Sequence, residues 1–392
     1  MKKLRVLCLD IEGGFGGSSR SLYESIANID RTKLDLSIWC KAAGPIQDKY
    51  RNLGAAVTVQ PKMPKVSSLP RLSRNIIVYL RFISDWVKSR YFRKKLLEAS
   101  QIADVVHFNH ESLFWLARWL KPRTNAKLSM HIRTNLYGTI FCRFQIRCIA
   151  KTIHKLIFIT ENERSTLERI TGLPITGDVI HNIVDLKEHK PHILVPSDDR
   201  FKVASLSNFA WVRGVDRFAE IARALKDQGR NDILFILAGK MYMPRTLPGP
   251  CGRAARKGKT FDDFIAECGL SDMFVFLGHV INPENVLASC NALIKPTRES
   301  NPWGRDILEG LAAGKPVISV GTYDKFVEDG VTGFLNHDFD AGAIAANIIS
   351  LADNPVLEKK MGAAGRKRVA ELCNGKARAK DLLIAWQSTV AG

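Results

Sequence analysis

No stretch of this 392-residue chain approaches the roughly 18 uninterrupted apolar residues that a membrane span needs, so the protein is expected to be soluble or peripheral. The opening MKKLRVLCLD has two lysines, but Arg5 and Asp10 cut its apolar run too short for a secretory segment; it reads as a first buried strand. The eight cysteines, Cys8, Cys40, Cys142, Cys148, Cys251, Cys268, Cys290 and Cys373, contain no C-x-x-C pair and no Cys/His spacing of a zinc site. A reduced, cytoplasmic setting is therefore expected. Internal repeats and low-complexity tracts are also missing. Acid is the scarce charge: 39 Asp and Glu stand against 58 Lys and Arg, a net charge of +19.

What is present is a globular composition, 46% hydrophobic and 25% charged, in a chain long enough for two domains. Residues 1–190 hold 32 of the Lys/Arg and 16 of the Asp/Glu, so the excess positive charge belongs almost wholly to the first half. Such a field favours an anionic partner: a lipid headgroup layer, a phosphorylated acceptor or nucleic acid.

Short apolar strand candidates alternate with amphipathic stretches throughout. The first half has Leu4 to Leu9, Leu36 to Trp39, Val57 to Gln60, Val105 to Phe108, Leu128 to His131 and Leu156 to Thr160. The second has Phe201 to Leu206, Ile233 to Leu237, Phe274 to Leu277, Ala292 to Ile294 and Pro316 to Val320. This rhythm predicts parallel α/β sheets with crossover helices. The proline-containing, polar segment near 187–200 is the best linker, which gives an N-terminal domain over 1–190 and a C-terminal domain over 191–375. Residues 376–392 read as one more amphipathic helix.

The string LIKPTRESNPWGRDILEGLAAGKPVISVGTYDKFVEDGVTGFL, residues 293–335, carries the most chemistry. Asn301 followed by Pro302 is a helix-start signal, and the helix is expected to run from Pro302 to about Ala313 and stop at Gly314. The N–H groups at Trp303, Gly304 and Arg305 would then face an anion at the positive end of the helix, with Gly304 allowing close approach. A diphosphate suits that position. Glu309 would lie about 12 Å further along, at roughly 1.5 Å per residue, within reach of a ribose.

This segment resembles the donor-binding signature of glycosyltransferase family 4, retaining enzymes of the GT-B fold, in which two glutamates seven residues apart flank an aromatic-Gly pair. AAGKPVIS, FVEDGVTGFL and LADNPVLEKKMGAAGRKRV resemble the family as well. The resemblance implies two Rossmann-like domains facing across a cleft, with the nucleotide sugar held mainly by the C-terminal one and the 376–392 helix returning to the first. Aligning Trp303-Gly304 with the family's pair puts Asn301 at the first glutamate position and Glu309 at the second; Asn301 serves either as a ligand, as a helix cap, or as both. Glu299 is the alternative for the first carboxylate, and Asp306 joins the donor-binding set. SLSNFAWVRGVDRF, residues 205–218, resembles the donor-phosphate segment, with Asn208 and Arg213 where the family has Arg and Lys. Arg213 can clamp a diphosphate, whereas Asn208 lacks the charge; Arg298 or Arg305 would compensate.

In the first half, the glycines of IEGGFGGSSRSLYESI precede a helix from about Ser19, and by resemblance Gly16 and Gly17 face the donor phosphates. His131 ends a strand where open α/β sheets bind ligands, and family members often carry a His there, near the donor sugar. His107 and His110 are similarly placed. Residues 71–95 hold eight Lys/Arg and one acid, with Ile76, Tyr79, Leu80, Ile83, Trp86 and Val87 at helical spacing. That pattern fits an interfacial helix on an anionic membrane or a core-packed helix with a solvated basic face. The Pro/Gly-containing basic stretch 240–259 is expected to be a mobile surface excursion.

The expected activity is transfer of a glycosyl unit from a nucleotide diphosphate sugar to a saccharide or lipid-linked acceptor, with His131, Asn301 and Glu309 as catalytic candidates. The resemblance implies retention, no obligatory metal and no bound cofactor, in cell-surface polysaccharide or lipopolysaccharide synthesis at the inner membrane face. Two rivals are a GT-B-fold sugar-nucleotide epimerase and a basic nucleic-acid-binding protein. The latter leaves the 293–335 motifs unexplained, so no nucleic-acid partner is expected.

Overall fold

A computed structural model describes residues 3–14, 16–66, 76–245, 247–299 and 303–391. The chain forms two compact units. The first comprises Met1–Ile183 with Cys373–Gly392, the second Val184–Leu372.

The first unit contains strands β1 (Leu4–Asp10), β2 (Leu34–Cys40), β3 (Ala56–Val59), β4 (Val105–Phe108), β5 (Lys127–Ile132), β6 (Lys155–Phe158) and β7 (Asp178–Val179). They form one parallel sheet in the order β3-β2-β1-β4-β5-β6-β7. A parallel sheet covered on both faces needs apolar side chains on both, and β1 supplies them alternately. Leu7 and Leu9 enter one core with Leu96, Phe114 and Ile146; Val6 and Cys8 enter the other with Leu22, Ile26 and Trp386. Trp386 lies on the Gly375–Ala391 helix, whose Ala379, Leu382, Leu383 and Ala385 are also buried in this unit.

The second unit contains β8 (Phe201–Ser205), β9 (Ile233–Ala238), β10 (Phe274–Gly278), β11 (Ala292–Lys295), β12 (Val317–Val320) and β13 (Gly333–Asn336), parallel in the order β10-β9-β8-β11-β12-β13. All six residues of β9 are buried. The Phe218–Asp227 helix buries Phe218, Ala219, Ile221, Ala222 and Leu225, the i, i+3, i+4, i+7 stripe of a helix lying on a sheet.

In both sheets the strand order reverses once, between β1 and β4 and between β8 and β11. At such a point the connections leave in opposite directions, and the carboxyl ends of the two central strands open a ligand crevice. Every apolar run read from the sequence became a strand. The two-residue β7 and the β13 segment were not anticipated.

The basic stretch 240–259 differs from expectation. Instead of a surface excursion it contains the Gly249–Arg256 helix, which buries Cys251, Ala254 and Ala255, while Met243 and Leu247 before it are also buried. Its Pro and Gly residues open a helix: Pro248 is the N-cap and Gly249 has a positive φ of 67°.

Candidate functional site

In the second unit the two loops leaving the switch point grip each other. After β8 the chain turns at Gly214, whose φ is 68°; a side chain there would strain the backbone and put a Cβ 1.8 Å from the Pro296 carbonyl oxygen. The Thr297 hydroxyl donates to the Val212 carbonyl at 3.0 Å, and the Arg298 N–H to the same oxygen at 2.9 Å. Arg217 donates to the carbonyls of Pro296 and Thr297 at 3.1 and 2.9 Å. The Arg298 guanidinium is bidentate on Asp216, 2.7 Å to each oxygen. Arg298 is thus committed to Asp216, and its role as a compensating phosphate cation is not supported.

Behind these loops lies a buried ion pair that the sequence reading missed. Lys295, the last residue of β11, places its ammonium 2.9 Å from Asp306 Oδ1, and Ser207 donates to Asp306 Oδ2 at 3.2 Å. Burial lowers the Lys295 ammonium from its usual range. Burial also works to raise the Asp306 carboxyl, but Lys295 and Arg213 outweigh it and hold that carboxyl below the usual range. Gly304 leaves room for this pair: a Cβ there would lie 2.2 Å from the Lys295 Nζ and 2.5 Å from Asp306 Oδ1.

The helix of the 293–335 string runs over Arg305–Ala312, with Gly304 (φ −59°, ψ 163°) at its N-cap. It therefore begins three residues later than the Asn-Pro signal predicted, and ends near Gly314 as expected. Asn301 and Pro302 lie outside the described residues. Trp303 is buried ahead of the helix, with its ring edge-on to Tyr323 at 5.3 Å. The first helical N–H groups are consequently those of Arg305, Asp306 and Ile307, and the Ile307 N–H is taken by Asp306 Oδ1 at 3.0 Å.

Glu309 stands one turn after Arg305, about 6 Å along the axis instead of the 12 Å counted from Asn301. Its carboxylate is buried and accepts from Arg305 Nε at 3.0 Å. That pairing leaves Arg305, like Arg298, engaged within the protein. The Arg213 guanidinium has no hydrogen-bond or ion-pair partner among the described residues, is partly exposed, and acts electrostatically on Lys295 and Asp306. Glu299 also acts on Lys295, after its own N–H binds the Thr297 hydroxyl. Asn208, exposed, accepts the Lys240 N–H at 2.8 Å and so ties the β8 loop to the β9 loop. Next to that tie is a cavity of about 470 Å³ lined by Gly239, Lys240, Tyr242, Thr260, Phe261 and His279, among others. It sits at the carboxyl ends of β9 and β10.

At the first unit's switch point the central groups are acidic. Asp10, at the end of β1, is buried and accepts from Tyr50 at 3.0 Å and from Asn109 at 3.3 Å. Asn109 is held in turn by Arg133, whose Nη2 donates to its side-chain oxygen at 2.6 Å. Burial pushes the Asp10 carboxyl up, against those hydrogen bonds. Gly16 is the N-cap and Gly17 the first residue of the Gly17–Ala27 helix, and the Glu12 carboxylate lies against Gly16. An anion at this helix start would therefore have Glu12 beside it. His131 is buried with His107 on the face under Trp386, 2.9 Å ring nitrogen to ring nitrogen. His110 instead caps the following short turn through the Ser112 N–H.

The 71–95 stretch forms the Ile76–Lys88 and Arg90–Ile102 helices, residues 71–75 lying outside the described residues. The apolar face read from the sequence splits in two. Tyr79 and Trp86 turn inward with Phe82, Tyr79 against Phe141 and Trp86 against Trp119. Ile76, Ile77, Leu80, Ile83 and Val87 are each 52–71% exposed, beside exposed Arg81 and Lys88. The neighbouring Ile140–Thr152 helix adds exposed Ile140 and Phe144 with Arg143 and Arg147.

Residues 187–368 match the family model described as Glycosyl transferases group 1. Over 132 residues the chain is 33% identical to D-inositol 3-phosphate glycosyltransferase of Streptomyces scabiei, covering 33% of this chain and 29% of that one. Over 126 residues it is 37% identical to alpha-1,3/1,6-mannosyltransferase ALG2 of Dictyostelium discoideum, covering 31% and 29%. The matched part thus spans less than a third of the length of these relatives. Among solved structures, Anabaena Alr3699/HepE in complex with UDP-glucose is similar over 98% of this chain and 100% of its own, with a TM-score of 0.75 at 18% identity. The whole Lys295–Glu309 constellation lies inside the 187–368 segment that matches the Glycosyl transferases group 1 model, in a chain whose two Rossmann-like units have the GT-B-type fold.

Proposed function

We propose that this protein is a retaining glycosyltransferase of the family 4 type, moving a sugar from a nucleoside diphosphate sugar to a saccharide or lipid-linked acceptor without a metal or bound cofactor. The observation that carries the reading is the juxtaposition, inside the family-matched segment, of Arg213, whose guanidinium has no partner among the described residues, the buried Lys295–Asp306 pair and a helix capped by Gly304. As the glycosidic bond breaks, negative charge grows on the diphosphate. Cations and helix N–H groups fixed beside it stabilise the transition state more than the bound substrate. Arg213 clamps the diphosphate, Lys295 supplies positive potential from behind, and Glu309 binds the ribose on release from Arg305. The cavity at Lys240 and Phe261 takes the base. UDP-glucose, seen bound in the Anabaena structure, is the first donor to assay.

No protein nucleophile is assigned, and the acceptor attacks from the leaving group's face. Radiolabel transfer from a panel of nucleotide sugars, with the product's anomeric coupling read by NMR, tests the scheme. Donor consumption without any acceptor would favour the epimerase instead. Activity abolished by EDTA and restored by a divalent ion would overturn metal independence.

The acceptor is assigned to an anionic membrane surface, approached through the exposed stripe of the Ile76–Lys88 helix. Five aliphatic side chains in water flanked by Arg81, Lys88, Arg143 and Arg147 suit insertion beneath negative headgroups, at about 1 kcal/mol per basic residue near the surface. No helix among the described residues is long and apolar enough to cross a membrane. Flotation with phosphatidylglycerol vesicles at low salt should carry the protein up, and Leu80→Asp/Ile83→Asp should leave it at the bottom. Flotation unchanged by that double substitution removes the stripe from the scheme, and a concentration-dependent dimer lost in the same variant would assign it to a second copy.

A further inference from the structure

Strand register sets His107 of β4 beside Ser129 of β5, with His131 two residues further on the same face of the sheet. Trp386, from the Gly375–Ala391 helix, covers that face. Its indole Nε1–H points at His107 Nδ1 from 3.3 Å, and the Ser129 hydroxyl lies 2.8 Å from the same nitrogen. His107 Nε2 then lies 2.9 Å from His131 Nδ1.

Polarity in this chain is fixed at one end, because an indole N–H donates and never accepts. We infer that Trp386 and Ser129 act as positioning residues, locking His131 as the neutral tautomer protonated at Nε2. The steps follow from hydrogen-bond bookkeeping. Facing Trp386, His107 Nδ1 must be bare, so Ser129 donates to it as well. The proton of neutral His107 is then on Nε2 and is donated to His131 Nδ1. That nitrogen is bare in turn, and the His131 proton is on Nε2. Burial supports the neutral state of both rings: it pushes His107 down to about 3 and His131 well below its ordinary value, with the Arg133 charge adding to it.

His131 therefore presents a hydrogen-bond donor and cannot take a proton at Nε2. Resting on the reading of the protein as a glycosyltransferase, its ligand is an oxygen of the sugar or phosphate, and a role as general base is ruled out. A tautomer specified by a tryptophan 255 residues later in the chain is a use of the C-terminal helix beyond covering the sheet.

The test is a long-range 15N–1H correlation spectrum of the full chain with labelled histidine at neutral pH, assigned with His107→Asn and His131→Asn. Both rings should show the pattern of the Nε2–H tautomer. An Nδ1–H or imidazolium pattern at His131 would overturn the inference, whatever reaction the protein catalyses. Trp386→Phe/Ser129→Ala keeps the aromatic packing but deletes both donors, and should convert His131 partly to the Nδ1–H form. If that variant is poorly folded, Ser129→Ala and Trp386→Phe are read singly, and the wild-type spectrum decides alone. In sugar transfer the double variant should lose up to about tenfold in kcat/KM, the scale of one neutral hydrogen bond. Tautomers as inferred with no transfer activity would leave the chain intact and instead count against the proposed function.

Discussion

The two switch points are built on the same topology and carry opposite charge. Between β8 and β11 the Lys295 ammonium is buried on Asp306, with Arg213 nearby and without a side-chain partner among the described residues. Between β1 and β4 the buried group is the Asp10 carboxyl, with Glu12 close by. Yet by composition the first half is the strongly basic one. Most of its positive charge is spread over its surface, while its crevice holds the Asp10 carboxyl and neutral histidine, with Arg133 beside them on Asn109. Topology fixes where a ligand can sit, and the few side chains at the strand ends decide which ligand. Net charge reports neither.

The sharpest way to break this contrast is Lys295→Met. It strands Asp306 in the interior without its partner, and should cost about 3–5 kcal/mol of stability, read from urea unfolding of the second unit. Unfolding in step with wild type would mean the pair does not organise the site. Arg213→Ala should do the reverse. Its guanidinium has no hydrogen-bond or ion-pair partner among the described residues, and its attraction to Asp306 is opposed by its repulsion of Lys295, so stability should hold, while kcat/KM for transfer should fall by roughly 10- to 150-fold, the equivalent of one charge-assisted hydrogen bond of about 1.5–3 kcal/mol. Equal activity in this variant would detach the cation from the diphosphate. Gly304→Ala pushes a methyl against Lys295 and Asp306, and should cost about 1–3 kcal/mol with raised KM for the donor.

The smallest effect, and the most direct comparison, is in pH dependence. Asp306 is held low in the folded state, so its contribution to stability is present above its ordinary pKa near 3.8 and is lost as pH falls through the lower folded value. Asp10 is held high, so its contribution is present below 3.8 and is lost as pH rises through the higher folded value. Asp306→Asn and Asp10→Asn should therefore change the slope of stability against pH in opposite senses, seen by denaturant titrations between pH 3 and 7. Slopes of the same sign would remove the electrostatic contrast.

How legible the site was depended on range. Trp303, Gly304, Arg305, Asp306, Glu309 and Arg213 were read because they lie in two short strings, and the structure brings both to one switch point. Lys295 was passed over because a lysine ending an apolar strand looks like a solvated terminus; only the Asp306 carboxylate arriving from the next helix buries it. The helix start moved for a related reason. Asn-Pro is a sound local signal, but Trp303 packs on Tyr323 ahead of the helix and Gly304 keeps space for the ion pair, and the helix opens at Arg305. In the 240–259 stretch, Pro and Gly hid Cys251, Ala254 and Ala255, whose i, i+3, i+4 spacing was the better guide.

By itself the sequence determined the strands other than β7 and β13, the α/β class, the two-unit plan and the string that holds the donor-site candidates. These follow from local periodicity and nearest-neighbour chemistry, which a linear reading contains. Tertiary structure alone decided that Arg298 is spent on Asp216 and, through the Trp386–His107–His131 contacts, which nitrogen of His131 carries its proton by our inference. The Arg298–Asp216 and Trp386–His107 contacts bring groups 82 and 279 residues apart to 2.7 and 3.3 Å, and no local pattern encodes such a meeting.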